Sequence, residues 1–470
     1  MMRVGYGKAC ITPPLGTPCA LGLEDELVEV FDDLYVRAVS VQIGDESALI
    51  AAADLIGLYP KDVDEFSARM ARTTGVPKDR IILHATHTHQ TGCSRWEVAR
   101  LLDPYGLSDG YASPKFRQQV SDGFVAAAKH ALASAASYEM AYAESPVSGI
   151  ASNRRVPVDD KGNVAMRNSR PSAEMREKPE GRIDPLLRMV LFRNLENGRI
   201  IGICNYCCHP SSAGGDEGPY ATGDFPAAGM DIVEKEFGDI RLLHLTGTCG
   251  DINPGKYVTS DSRAPEDRKR DVQLLGGRYA DAVRSALSAA TGWHRPDGLR
   301  LEWAQAELSV RADIPDREEC LRLLREEAEA YKKARAEGTV RKTPFHPSIY
   351  RHYARLRSRD GRITTRAAAM RLGGVCFTFL PGEIFLRFGD ALREGLGGGR
   401  LLNSACCLDS GVGYVVPPDC FGRGGYEEGR TWLGPTAYGD LMAAVASALG
   451  AVSGRVAGRM PDSRLQAGEE

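Results

Sequence analysis

The sequence predicts an α/β (α+β) fold in which mixed β-sheets are packed with flanking helices, built as one large elaborated domain. Two observations carry that prediction. Strand-like apolar runs alternate along the chain with segments of helical period. Two pairs of those runs are joined by turn signals, Gly44-Asp45 and Glu196-Asn-Gly198, which make hairpins and break the βα alternation a barrel needs. At 470 residues the chain exceeds the size at which one simple core stops growing, so elaboration or a second lobe is expected.

The elements follow in chain order. Val39 to Ile43 and Ala48 to Ala53 flank the first turn as a hairpin. Val63, Phe66 and Met70 recur at helical spacing, and that helix stops near Gly75. Ile81 to Ala85 is an apolar run of strand length. Ser113-Pro114 opens a long helix with Phe116, Val120 and Phe124 on one face; Ser suits the cap and Pro the first turn. Leu186 to Leu195 and Ile200 to Cys208 make the second hairpin. A helix bearing Met230, Val233 and Phe237 precedes the strand Leu242 to Leu245 and the turn Gly247-Thr-Cys-Gly-Asp-Ile-Asn-Pro254. Later come strand Val375 to Leu380, helix Ile384 to Leu392, strand Leu401 to Leu408 and a helix after Pro435. Between them, Asp316 to Arg362 is rich in Arg, Glu and Lys, with Leu321, Leu324 and Ala328 at helical spacing. Its interleaved Glu residues predict an exposed, solvated helical excursion over 316–362 and not a basic binding patch. The domain is expected to cover 1–455, followed by a polar tail at 456–470.

Hydrophobic residues are 43% of the chain and charged residues 26%, the balance of a soluble globular protein. A net charge of −3 gives no electrostatic reason to expect nucleic acid or an anionic membrane as partner. The N-terminus, Met-Met-Arg-Val-Gly-Tyr-Gly-Lys, has no apolar segment of signal-peptide length, and no run is long and apolar enough to span a bilayer. A cytoplasmic protein without stable membrane association is the expectation. The 12 cysteines then read as reduced thiols, several of them, such as Cys376, Cys406 and Cys407, in apolar runs. Cys204-Asn-Tyr-Cys-Cys-His209 looks like a metal knuckle, but no second Cys/His pair follows at zinc-finger spacing, so core thiols are expected.

The chemistry gathers where apolar runs stop. Ile81-Ile-Leu-His-Ala-Thr-His-Thr-His89 ends in a His-x-His pair. On a strand, side chains i and i+2 share a face, so His87 and His89 are expected to point one way at its end. Two neutral imidazoles there suit a zinc site, or a zinc ligand beside a general base. Asp54, His209, Asp251, Asn253, Glu383 and Tyr414 occupy similar strand-end positions. Each has a plain structural alternative: Asp54 as a cap, His209 as a turn residue before Pro210, Glu383 as a first-turn carboxylate. Together they offer imidazoles, a carboxylate and a phenol, a donor set suited to a catalytic zinc with an open position. A barrel amidohydrolase would instead recruit His209, His244 and Asp251, but the hairpins argue against that barrel. A metallo-β-lactamase-like site is weaker still, because Thr88-His89-Gln90-Thr91 lacks the Asp and His its ligand run requires. The other rival is a catalytically silent zinc- or ligand-binding scaffold.

Several short blocks resemble the signatures of the neutral/alkaline non-lysosomal ceramidase family, N-terminal catalytic domain. They are Gly5-Tyr-Gly-Lys-Ala-Cys-Ile-Thr-Pro13, Ala85-Thr-His-Thr-His-Gln-Thr-Gly92, Asn153-Arg154, Cys207-Cys-His209, Gly250-Asp-Ile-Asn-Pro254 and Leu380-Pro-Gly-Glu383. Gly413-Tyr414-Val, Tyr426-Glu427, Thr431 and Gly434-Pro435 complete the series, in order and at similar spacing from about residue 3 to 450. The resemblance implies a zinc-dependent amidohydrolase acting on C–N bonds other than peptide bonds. Its ligands would be His87, His209, Glu383 and Tyr414. His89 would shuttle the proton of a zinc-activated water, and Arg154 or Tyr426 would hold the oxyanion. Two departures mark a divergent member. The family's serine, in a Gly-x-x-Ser-Pro turn, is Asn253 here; its amide can donate to an oxyanion or bind substrate but cannot attack. Cys249 is nearby but lies outside the family-aligned slot, so a thiol mechanism is not expected. The chain also ends before the β-sandwich domain that follows in ceramidases. A soluble small molecule with an amide, ester or lactone bond is the expected partner, in place of a long-chain membrane sphingolipid.

Overall fold

Eight strands form the larger of two main sheets in the computed structural model, which describes residues 2–20, 25–214, 219–262, 264–339 and 345–454. They are β1 (Met2–Cys10), β2 (Tyr35–Ile43), β3 (Glu46–Ala53), β4 (Ile81–Ala85), β5 (Ala136–Pro146), β6 (Leu186–Asn194), β7 (Ile200–Tyr206) and β8 (Ile240–Thr246). Their spatial order is β8-β7-β6-β5-β1-β2-β3-β4, with β3/β4 and β7/β8 parallel and the other neighbours antiparallel. Both predicted hairpins form. Ile43 faces Glu46 across Gly44-Asp45, with Gly44 at φ 59°, and Arg193 faces Ile200 across the turn that holds Gly198 at φ 73°. These turns need left-handed backbone, which glycine adopts at no steric cost.

The long helix α2 (Pro114–Ala133), following α1 (Pro60–Thr74), lies directly on β1 and β2. Ser113 caps it by accepting from the Phe116 N–H, and Phe116, Val120 and Phe124 are buried. The Gly5-x-Gly7 of the first block gives this packing its closeness. A Cβ on Gly5 would stand 1.8 Å from the Ala131 carbonyl oxygen, and one on Gly7 2.0 Å from that of Ala127. Only a residue with no side chain lets helix backbone rest on strand backbone there. Helices α3 (Asp224–Phe237) and α4 (Pro265–Ala289) pack on each other; α3 lies on β8, and α4 on β5 and β6.

The second sheet is β9 (Leu299–Ser309), β10 (Arg362–Leu372), β11 (Val375–Phe379) and β12 (Leu401–Ser404), in that spatial order, with only β11/β12 parallel. The predicted excursion is α5 (Arg317–Ala336) and α6 (Phe345–Arg357). It is not simply solvated: Leu324, Ala328, Tyr331, Ile349 and Tyr353 join the main hydrophobic core, whereas Leu321 is exposed. Its buried stripe runs through Cys320, Leu324, Ala328 and Tyr331, one residue round from the face predicted with Leu321. Helix α7 (Leu386–Gly395) follows β11, and α8 (Ala437–Ser453) buries Leu441, Val445 and Leu449 against the second sheet. The tail expected at 456–470 lies outside the described residues. No helix among the described residues is long and apolar enough to cross a membrane.

The segment after β12 joins the two sheets. The Ala405 N–H donates to the Thr246 carbonyl of β8, and the Cys406 carbonyl accepts from the Ala85 N–H of β4. The strand predicted as Leu401 to Leu408 therefore stops at Ser404. Cys406 and Leu408 take left-handed φ of 54° and 63°, which no ladder accommodates. This bridge draws the C-terminal ends of β4, β8 and β11 to one place.

Candidate metal centre

Four loops converge there, each leaving the C-terminal end of a strand that pairs in parallel: β4, β7, β8 and β11. His87 is not on the strand, as the alternation argument required. The strand ends at Ala85; Thr86 then donates to the Ala53 carbonyl and His87 to that of Leu55, turning the chain across β3 with His87 at φ 68°. The side chains still meet. The His87 and His89 ring centroids are 5.1 Å apart, and His209 lies 4.9 Å from the first and 5.6 Å from the second. One ring nitrogen from each fits within 4.8 Å of the others.

Hydrogen bonding distinguishes the three. His87 Nδ1 is 2.6 Å from the Ile56 carbonyl, and His209 Nδ1 is 2.8 and 2.9 Å from those of Cys249 and Ile252. A ring nitrogen facing only carbonyl oxygens carries the hydrogen, so in the neutral ring Nε2 keeps its lone pair. Both Nε2 atoms approach the same oxygen, Glu383 Oε2, at 3.4 Å from His87 and 3.1 Å from His209. Burial lowers the His209 pKa to about 4, so near neutral pH its bare lone pair faces a carboxylate oxygen. Two acceptors hold that separation when a positive charge lies between them. Burial pulls His87 down too, but Cys406 and Glu383 outweigh it and hold its pKa well above the usual value. Glu383 is held well below its own, burial being overcome first by His87 and then by His209. The cluster thus attracts positive charge at one point. Two imidazole nitrogens with carbonyl-anchored tautomers and a carboxylate oxygen make a donor set that Zn²⁺ fits.

His89 differs. Its two ring nitrogens, like His87 Nε2, are buried with no hydrogen-bond partner among the described residues. Burial, then His87 and His209, hold it well below its usual pKa, so it stays neutral. Tyr414 pairs in register with Glu383 across a two-residue parallel ladder, and the charges of Arg154 and Glu383 act on its phenol. Burial keeps the phenol protonated, far above its usual pKa. Arg154 Nε donates to Glu427 Oε1 at 2.6 Å and Nη2 to the Gly250 carbonyl at 2.5 Å. Its guanidinium lies 5.2 Å from both the Tyr414 and Tyr426 ring centres, and those rings meet edge-on at 5.9 Å.

Asn253 spends its side chain on backbone: Nδ2 donates to the Arg167 carbonyl and Oδ1 accepts from the Gly255 N–H. It holds the turn whose Ile252 carbonyl anchors His209. Cys249 also contributes a carbonyl to that anchor, while burial, then Cys406 and Cys208, push its thiol well above its usual pKa. Asp54 pairs with the buried Arg37, and Asp251 accepts from the Leu386 N–H at the start of α7. His244, a ligand under the barrel alternative, faces the Tyr279 hydroxyl at 2.8 Å inside the core. Two residues here escaped sequence reasoning. Glu427 is fully buried between Arg154 and Arg155, and the Cys406 backbone is hydrogen-bonded to Ala85 and Gly382, on the loops that lead to His87 and Glu383. The first was legible only as the acidic neighbour of Tyr426, the second only as one apolar-run thiol among several.

No protein-family profile and no curated protein sequence matches the chain. Solved structures do. The neutral ceramidase from Pseudomonas aeruginosa superposes with a TM-score of 0.71 at 16% identity, over 98% of this chain and 76% of that one. A ceramidase complexed with C2 gives 0.69 at 15% identity, over 99% and 78%. At that identity the likeness speaks to architecture alone: this chain has a ceramidase-like fold.

Proposed function

We propose that this protein is a zinc-dependent hydrolase that cleaves the amide, ester or lactone bond of a soluble small molecule in the cytoplasm. The observation that carries the reading is the pair His87 and His209, each anchored through Nδ1 to carbonyls and each turned through Nε2 toward Glu383. With Tyr414 beside Glu383, these four would hold the metal. Bound there, Zn²⁺ supplies Lewis-acid polarisation of a carbonyl and a more acidic water. The protein supplies the rest. His89, unanchored and neutral, takes the proton of the attacking water at a ring nitrogen and returns it to the leaving group. Arg154, kept charged by Tyr414 and Glu427 against its burial, and Tyr426 face the position where negative charge develops on the carbonyl oxygen. Asn253 in the serine position leaves the turn without a hydroxyl nucleophile, which favours direct attack by water over a covalent intermediate.

The ceramidase-like fold supports amide cleavage, while the surface favours a substrate other than membrane ceramide. The large hydrophobic side chains exposed among the described residues, such as Leu15, Val158, Phe237 and Leu321, come from different elements. A second reading has one favourable observation. The ring nitrogens of His87, His89 and His209 lie close enough to bind one ion, which would make His89 a third ligand in place of a proton shuttle. A panel of short-chain amides, esters and lactones, assayed with and without added zinc against a fluorescent ceramide, tests the proposal. Metal-dependent turnover of the soluble compounds is expected. Ceramide turnover above ~10⁴ M⁻¹s⁻¹ in kcat/KM, the low end for a good substrate, would overturn the substrate class, and no turnover of anything would favour the silent scaffold.

A further inference from the structure

Arg95 is a deep arginine without an acid. Its Nη1 donates to the Ala20 carbonyl at 2.5 Å, and its guanidinium carbon lies 4.8 Å from the Tyr350 ring centre. No Asp or Glu among the described residues forms an ion pair with it. Burial disfavours its charge, and the groups that support it are the Tyr350, Tyr59 and Tyr111 phenols and the Cys93 thiol. Burial keeps those four protonated near neutral pH, so none of them is an anion. Other deep arginines are matched. Arg37 has Asp54 at 2.8 Å, Arg357 has Asp409, and Arg167 spends its hydrogens on four backbone carbonyls. A guanidinium drawn out of water without a counter-ion is costly, so the place beside Arg95 favours an anion brought in from outside.

Two connections tie Arg95 to the metal centre. The neighbouring Ser94 Oγ donates to the Gly57 carbonyl at 2.7 Å, one residue from the Ile56 carbonyl that faces His87 Nδ1. On the other side the Tyr350 ring stacks on Trp432, 6.1 Å between centres and 12° between planes. Trp432 Nε1 in turn lies against Gly413, where a Cβ would stand 2.9 Å from it, and Gly413 precedes Tyr414. An aromatic wall thus runs from the Tyr414 segment to Arg95. Arg95 and Tyr350, like His89 and Glu383, lie deep and yet keep part of their surface accessible, as the lining of a cleft does.

We propose that Arg95 determines specificity by binding a carboxylate at the end of the substrate remote from the bond that is cleaved. This rests on the hydrolase reading given above and narrows its substrates to acidic amides, esters or lactones. The planar fork of arginine donates to both oxygens of a carboxylate at once, and the Tyr350 ring beside it restricts the guanidinium.

The test uses the zinc-loaded full chain and pairs of p-nitroanilides of equal length, the half-amides of succinic to suberic acid against their neutral acyl counterparts. Calorimetric titration with glutarate runs beside the kinetics. At one chain length kcat/KM should favour the acidic compound by about 10-fold or more, the usual worth of a hydrogen bond to a charged group. That ratio should fall toward one in Arg95→Met, and Arg95→Lys, which keeps the charge without the fork, should retain part of it. Glutarate should bind wild type about 10-fold or more tighter than Arg95→Met, with zinc content equal in the two. No acid preference at any length in the wild-type protein, or a loss in Arg95→Met that is equal for acidic and neutral compounds, would overturn the role of Arg95. Turnover of neither series would overturn the hydrolase reading; glutarate affinity equal in wild type and Arg95→Met would then overturn the anion site as well.

Discussion

His209 Nε2 stands 3.1 Å from Glu383 Oε2 while His209 Nδ1 is held by the carbonyls of Cys249 and Ile252. In a neutral imidazole those carbonyls decide the tautomer, so no hydrogen is left for the carboxylate. In the proposed reading a cation between them completes the pair. Other features of the centre agree in sign: Glu383 held ionised, Tyr414 paired in register beside it, and His87 drawn to positive charge.

The roles of the three histidines separate by mutation. His209→Ala should abolish stable metal binding. His89→Ala should leave metal content unchanged and lower turnover by about 10²–10⁴-fold, as loss of a positioned base does. Metal analysis beside kinetics reads both. Loss of metal from His89→Ala would establish the three-imidazole set instead.

Arg154 and Glu427 form a buried ion pair at 2.6 Å, with Glu427 fully buried. Glu427→Ala strands the guanidinium and should destabilise the fold by about 3–5 kcal/mol, the usual cost of removing one partner of a buried pair. Denaturant unfolding measures it, and a loss below ~1 kcal/mol, the range of surface pairs, would show that solvent or another group takes over.

Much of the fold could be read from the chain because its signals are local. Turn glycines at 44 and 198, the Ser113-Pro114 start and the period of Phe116, Val120 and Phe124 all act within a few residues. The site was legible as a set of strand ends, not as geometry. The alternation that placed His87 and His89 on one strand face fails because hydrogen bonds to Ala53 and Leu55 turn the chain first. Arg154 and Glu427 are 273 residues apart, and no periodicity links them. Cys406 looked like its neighbour Cys407, since composition says nothing of a left-handed φ.

The close approach of α2 to β1 gives a prediction about the first block. Gly7→Ala places a Cβ 2.0 Å from a helix carbonyl oxygen, so helix or strand must move. Overpacking of this kind costs about 1–3 kcal/mol and sometimes more. A thermal or denaturant midpoint equal to wild type would mean the helix shifts freely.

Asp32 should make stability depend on pH. Burial raises its pKa to about 7, against the hydrogen bonds it accepts from Thr222 and Gly223. The folded value lies above the unfolded one of about 3.9, so the folded state binds the proton more tightly. The contribution is full below the unfolded value and disappears as pH rises through 7. Between about pH 5 and about pH 8 the wild-type denaturation midpoint should therefore fall relative to Asp32→Asn. Parallel curves for the two proteins would show that Asp32 is ionised throughout.

The central claim is that the His87, His209 and Glu383 cluster is a metal centre, and zinc content of the purified protein tests it most directly. About one zinc per chain is expected, as in sites with three or four protein ligands, removed by a chelator and lost in His209→Ala. A protein that carries no transition metal, and takes up none when zinc is supplied, would contradict it.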